Sequence, residues 1–194
     1  MTQEIEIEYK NMLTADEFDQ LLNTLPFPKE GQTQTNHYFE TANFSLKEQG
    51  CALRIREKNG DYTMTLKEPH TTGLLETHDH LTKQQADSWL SGNPTNADGI
   101  LKQIADKGIA AADLLYYGSL TTYRRELVYG DVLLVLDVNT YLQTTDYELE
   151  LEAESEQAGL NTMQQLLDDY QIEQRNTPNK IRRFFTAASD EQSD

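Results

Sequence analysis

Three glutamates at every second position, Glu4, Glu6 and Glu8, open the chain, and Glu148, Glu150 and Glu152 repeat the spacing near its other end. Residues two apart on a strand share one face and lie roughly 6.5–7 Å apart, so the carboxylates of each trio can converge on one cation. Donors made only of oxygen suit Mg²⁺ or Mn²⁺ and not a soft metal. Between the trios, Arg54 and Arg56 share a face of LRIRE opposite Leu53 and Ile55, and Lys67 ends TMTLK on the face of Thr63 and Thr65. Paired guanidinium groups suit bidentate binding of phosphate. Acidic strands and basic strands together would hold a metal–polyphosphate complex. Any one of these strands, taken alone, is better described as apolar inside and charged outside, because antiparallel sheets usually keep a wet face. Taken together they resist that description, since three like charges in a row repel unless a cation or basic groups offset them.

The elements that must position these residues follow from periodicity. Ile5, Ile7 and Tyr9 alternate with the first acidic residues, which predicts one half-buried strand. Thr14 with Glu17, and Thr82 with Gln85, have the spacing of capping boxes and predict two helices. Phe18, Leu21, Leu22 and Leu25 form the stripe of the first, which Pro26 stops. Asn59-Gly60-Asp61 and Gly130-Asp131 mark tight hairpins joining 51–58 to 62–68 and 116–129 to 132–139. Short strands are expected around 36–40, 73–80 and 146–153, and a helix over 97–107. A helix over 155–170 turns Leu160, Met163, Leu166 and Leu167 inward, and a last one begins at Thr177-Pro178 with proline at its first position. About eight strands in hairpin order predict an α+β fold whose antiparallel strands close into a small barrel.

Length and charge bound the partners. The 194 residues suit a single domain over 1–188 with a polar, acidic, frayed tail at 189–194. The formal charge of −17 argues against duplex nucleic acid, whose phosphates such a surface repels. No apolar run approaches the roughly 20 residues of a membrane span, and the acidic start is unlike a signal peptide, so a cytoplasmic protein is expected. Cys51 is the lone cysteine and excludes an intrachain disulfide.

Glu6-Ile7-Glu8-Tyr9-Lys10 matches the E-x-E-x-K signature that opens the CYTH superfamily, the triphosphate tunnel metalloenzymes. The resemblance continues in order through Leu53-Arg54-Ile55-Arg56, Thr65-Leu66-Lys67-Glu68-Pro69, Thr122-Tyr123-Arg124-Arg125, Leu136-Asp137, Tyr147-Glu148-Leu149-Glu150 and Asn179-Lys180-Ile181-Arg182-Arg183. It covers about residues 2–187. It implies an eight-stranded antiparallel barrel forming a tunnel, with helices packed outside, and Mg²⁺- or Mn²⁺-dependent hydrolysis of a small-molecule triphosphate. Glu6, Glu8, Asp137, Glu148 and Glu150 would hold metal, with Glu152 competing within the last acidic strand and Glu4 as a neighbour. Lys10, Arg54, Arg56, Lys67, Arg124 and Lys180 would grip phosphates; Arg125 competes with Arg124 for the inward place, and Arg183 is a second choice. Lys10, Arg56 and Glu148 would act in catalysis.

The residue types agree with that chemistry. A triphosphate carries about four negative charges that must be offset while the attacking water is held in line. Inorganic triphosphate and thiamine triphosphate are the favoured substrates, since no base-reading constellation stands out and the His-Phe start of class IV adenylyl cyclases is absent from MTQEIEIE. That cyclase activity and a non-catalytic polyphosphate- or nucleotide-binding module are the alternatives. His78-Asp79-His80 offers two imidazoles on one strand face, short of the three ligands zinc needs, and Glu76 on the same face could extend an acidic lining. The oligomeric state is left open.

Overall fold

In a computed structural model, which describes residues 1–71, 73–95 and 98–191, the alternating segments form nine strands. These are β1 (Thr2–Glu6), β2 (Glu8–Leu13), β3 (Gln32–Thr41), β4 (Ala52–Lys58), β5 (Asp61–His70), β6 (Gly73–Leu81), β7 (Leu114–Tyr129), β8 (Val132–Tyr141) and β9 (Thr144–Ala153). The helices are α1 (Ala15–Thr24), α2 (Ser45–Glu48), α3 (Lys83–Leu90), α4 (Asp98–Asp106), α5 (Glu156–Asp169) and α6 (Lys180–Glu191), with a 3-10 turn at Ala111–Asp113. The hydrogen-bonded order is β1-β6-β5-β4-β3-β7-β8-β9-β2, and the hairpin pairings are antiparallel, as the α+β expectation requires.

The strand count is nine and not eight because the first expected strand is two. Ile7 accepts a hydrogen bond from the Ala153 amide at 3.1 Å, which continues the β2–β9 register by one residue, and the chain changes partner there. Before it, β1 lies next to β6; after it, β2 pairs with β9, Glu8 opposite Glu152 and Lys10 opposite Glu150. The two terminal strands of the order are therefore consecutive in sequence. Ile5, expected to point inward, is half exposed.

Packing divides the chain into two compact units, residues 1–5 with 34–119 and residues 6–33 with 120–194. In the first, Leu53, Ile55, Met64 and Leu66 from β4 and β5 pack with Trp89, Ile100 and Ile104 from α3 and α4. In the second, Leu134, Leu136, Leu149 and Leu151 pack with Phe18 and Leu21 of α1 and with Met163, Leu166 and Leu167 of α5. Full burial of such side chains contributes about 1.5–3 kcal/mol each. Cohesion thus comes from one face of each sheet segment, which leaves the other face for charge.

Both capping boxes form, at Thr14 with Glu17 and at Thr82 with Gln85. Two helical expectations change. Leu160 of α5 is exposed, because the inward stripe begins instead at Gly159, where a Cβ would lie 2.5 Å from the Tyr9 ring. The last helix starts at Lys180, not at Thr177-Pro178: Asn179 caps it through Oδ1 to the Arg182 amide at 3.1 Å. The Thr177 hydroxyl is used elsewhere, accepting from the Met12 amide at 2.8 Å. That helix continues to Glu191, past the start of the expected tail, and residues 192–194 lie outside the described residues. The unforeseen α2 is built on buried Glu40, whose carboxylate accepts from the amides of Leu46 and Lys47 at 3.0 and 2.9 Å.

Candidate active site

In the second unit, β8 and β9 set Asp137 directly opposite Glu148, with Glu150 two residues on along β9. All three side chains are buried, and their ligand oxygens lie within 4.8 Å of one another. Buried carboxylates at that spacing need compensation, and α6 supplies it. Its first residue, Lys180, places Nζ 2.9 Å from Asp137, 2.7 Å from Glu148 and 2.6 Å from Glu150. Arg183, three positions on and so on the same helix face, donates to Glu148 Oε2 at 2.7 Å and to Asp146 Oδ2 at 3.0 Å. From β7, Arg124 grips both oxygens of Asp137 at 2.9 and 2.7 Å and reaches Glu150 Oε2 at 2.5 Å. Lys10 pairs with Glu8 at 2.6 Å and stands 4.0 Å from Glu150.

The electrostatics follow from this pairing. Burial opposes ionisation of Glu150, but Lys180, Arg124 and Lys10 outweigh it and hold its carboxyl well below the usual range. Burial likewise opposes charge on Lys180 and Arg183, and the carboxylates around each reverse the outcome and raise both. Glu152 behaves differently. Burial, reinforced by Glu6 and then Glu150 and Glu8 against the pull of Arg124, pushes its carboxyl up to about 7.

In the first unit, the β3–β4–β5–β6 register puts Asn36, Arg54, Arg56, Thr65, Lys67, Glu76 and His78 on the face opposite the apolar core. Arg56 Nε donates to Asn36 Oδ1 at 3.1 Å. Lys67 forms an ion pair with buried Glu76, and Arg54 stands 3.7 Å from the same carboxylate. His78 Nε2 lies 3.0 Å from Glu4 and 3.6 Å from Glu76, while its Nδ1 meets the Thr65 hydroxyl at 3.0 Å. Glu76 thus takes the acidic place on this face, and its partners are cations of the same unit.

A model of the CYTH domain matches residues 4–185. The chain belongs to the CYTH domain family. It is 44% identical over 186 residues to the "Putative triphosphatase YjbK" of Bacillus subtilis, covering 95% of this chain and 96% of that protein. A crystal structure of a "putative adenylate cyclase" from Bacillus halodurans superposes with a TM-score of 0.91 at 41% identity, over 95% of this chain and all of that one. A Hippeastrum protein, HpAC1, described as a putative adenylyl cyclase with a dominant triphosphatase activity, shares the fold with a TM-score of 0.78 at 23% identity, over 94% and 96% of the two chains.

The expected CYTH residues divide as follows. Lys10, Arg124, Asp137, Glu148, Glu150, Lys180 and Arg183 meet in one buried network of the second unit, to which Glu8 is joined through Lys10 and Glu152 through its field. Arg124, not Arg125, faces the carboxylates. Arg125 turns to the other face of β7, where its guanidinium lies 4.7 Å from the centre of the Tyr123 ring. Arg183, expected as a second-choice phosphate ligand, is occupied by Glu148 and Asp146. Arg54, Arg56 and Lys67 gather in the first unit. Unforeseen are Asp146, which also accepts from Tyr141 and Asn139 at 2.8 and 2.9 Å, and Asn36. The carboxylate spacing around 146–152 carried a signal for the former, while a neutral amide carries none.

The donor set fits a hard divalent cation, since Asp137, Glu148 and Glu150 offer converging carboxylate oxygens. Those oxygens are already bound by the Lys180 ammonium, so a cation among them requires that ammonium to move. Among the described residues no helix is long and apolar enough to cross a membrane.

Proposed function

We propose that this CYTH protein is a metal-dependent triphosphatase that hydrolyses the terminal phosphoanhydride of inorganic triphosphate or a small organic triphosphate such as thiamine triphosphate. The observation that carries the reading is the buried trio Asp137, Glu148 and Glu150, held within 4.8 Å and surrounded by Lys180, Arg124 and Arg183. A protein that needed these groups only for solubility would leave them in water. Bound Mg²⁺ or Mn²⁺ would supply charge neutralisation on the phosphates and acidify the attacking water. Asp137, Glu148 and Glu150, with Glu6, Glu8 and Glu152, are the proposed oxygen donors for it. Lys10, Arg54, Arg56, Lys67, Arg124 and Lys180 are the proposed phosphate ligands. In the reaction a water oxygen bonds to the terminal phosphorus and releases its proton to solvent, the bridging P–O bond breaks, and the departing oxygen carries negative charge that basic residues would offset; Lys10, Arg56 and Glu148 are the proposed catalytic residues. The similarity to YjbK supports the reaction class, and a cytoplasmic location remains part of the proposal.

Phosphate release from tripolyphosphate, thiamine triphosphate and ATP, with Mg²⁺ and Mn²⁺ in turn, tests the reading. Metal-dependent release from one of the first two is the expected result. Cyclic AMP from ATP without phosphate release from tripolyphosphate would make the protein a cyclase, and tight binding of every triphosphate without turnover would make it a binding module.

A further inference from the structure

On β3, Gln34 and Asn36 share one face and are buried, with 3% and 0% of their surface exposed. Gln34 Nε2 and Asn36 Nδ2 have no hydrogen-bond partner among the described residues, and Arg54 Nε on the neighbouring strand is in the same condition. The register sets Gln34 opposite Lys58, Asn36 opposite Arg56 and Tyr38 opposite Arg54, so the three N–H groups belong to the same face of adjacent strands. The Asn36 amide cannot be turned to remove the problem. Its Oδ1 accepts from Arg56 Nε at 3.1 Å, and a flipped amide would set N–H against N–H. A buried donor without an acceptor is destabilising, and the acidic group on this face, the Glu76 carboxylate, is engaged by Lys67 and Arg54. What this face lacks is therefore an acceptor-rich partner, the chemistry of a phosphate oxygen.

We infer that Gln34 and Asn36 are substrate-binding residues whose side-chain amides donate to phosphate oxygens of the bound triphosphate, Asn36 also orienting the Arg56 guanidinium beside it. This rests on the triphosphatase reading and adds neutral, directional donors to its basic residues. An amide contributes no net charge, so it can fix the position of a phosphate group without increasing the repulsion among Arg54, Arg56 and Lys67.

Two variants separate binding from structure. Gln34→Met is close in shape and removes the orphan donor. The metal-free protein should melt no lower than the parent, while KM for tripolyphosphate rises at least fivefold with kcat within twofold. Asn36→Asp keeps an acceptor for Arg56 Nε but replaces the donor with a second carboxylate oxygen, and KM should rise tenfold or more. A structural role alone predicts a parental KM in both, because Arg56 stays held. A Gln34→Met protein that melts lower and keeps the parental KM would overturn the inference. So would parental KM values in both variants alongside an active parent. A parent that hydrolyses no triphosphate would overturn the function reading, and this inference with it.

Discussion

The like-charge argument made from the sequence alone predicts that removing one carboxylate from the acidic strand relieves repulsion, so that Glu148→Gln should leave the metal-free protein at least as stable as the parent. The structure reverses the sign. Glu148 accepts from Lys180 and from Arg183, each at 2.7 Å, and its carboxylate neighbours in the trio stand within 4.8 Å. At an effective dielectric of about 20, each attraction is roughly 6 kcal/mol and each repulsion at least roughly 3.5 kcal/mol, so attraction exceeds repulsion by at most about 5 kcal/mol before desolvation is charged against it. Glutamine keeps one acceptor oxygen and turns an amide N–H₂ toward an ammonium or a guanidinium, so one contact becomes donor against donor. Breaking a buried pair from one side typically costs about 3–5 kcal/mol, and we expect a loss near the lower end because Arg183 keeps Asp146. Urea unfolding at pH 7.5 with EDTA measures it as a lower midpoint at unchanged slope. A midpoint equal to or above the parent's would refute the pairing argument and restore repulsion as the dominant effect.

Further outcomes follow from the same geometry. Lys180→Met should destabilise the metal-free protein, yet Mg²⁺ or Mn²⁺ should raise the variant's melting temperature more than the parent's, because no ammonium competes for the three carboxylates; equal metal shifts in both would count against it. Glu152, pushed up to about 7 from an ordinary 4.5, keeps its proton in the folded state over the range where the unfolded chain has lost it, so stability falls as pH rises from 4.5 to 7. Glu152→Gln should therefore gain roughly 1–2 kcal/mol over the parent at pH 8, a figure reduced for partial solvent exposure, and nothing at pH 4; melting curves in EDTA at both pH values decide. Gly159→Ala, normally favourable within a helix by about 1 kcal/mol, should instead cost about 1–3 kcal/mol through overpacking against Tyr9 and Ala153, visible as a lower urea midpoint.

Period and caps made most of the fold legible. Alternation located the strands, and two capping boxes located α1 and α3, because both signals are local. Ile7 could not be recognised as a break, since the alternation runs through it without a fault; the break arises because the residues before it lie next to β6, while from Ile7 on the chain bonds to β9, far along the sequence. The start of α6 was misplaced for a related reason. Thr177 and Asn179 are both able to cap, and Met12 draws the Thr177 hydroxyl away. At the candidate site, strand parity brought out Glu148, Glu150 and Glu152 as one acidic set and Arg54 with Arg56 as a basic one, while Asp137 came from the CYTH resemblance. Parity alone did not choose between Arg124 and Arg125, which the pairing of Arg124 with Asp137 resolves. The partners of those carboxylates were hidden as well, because Lys180 and Arg183 lie some thirty residues beyond β9 on a helix.

The position of Lys180 links the metal-free protein to the working one. Four buried or nearly buried carboxylates, Asp137, Asp146, Glu148 and Glu150, are met by Lys180, Arg124 and Arg183, which leaves one negative charge in excess. The site therefore stays folded without metal, held in place by an ammonium among oxygens suited to a hard cation. Arg124 and Arg183 are fixed by paired, planar contacts, whereas Lys180 reaches the trio on a flexible stem and is the cation able to leave. A metal held by those oxygens would leave the Lys180 ammonium available to an anion, and a bound triphosphate would in turn favour the ammonium away from the carboxylates. Each ligand removes part of the obstacle to the other. Metal and triphosphate should accordingly bind with positive coupling, and by linkage the coupling must be equal in both directions. Lys180→Met, having no ammonium to redistribute, should weaken that coupling even where each ligand still binds.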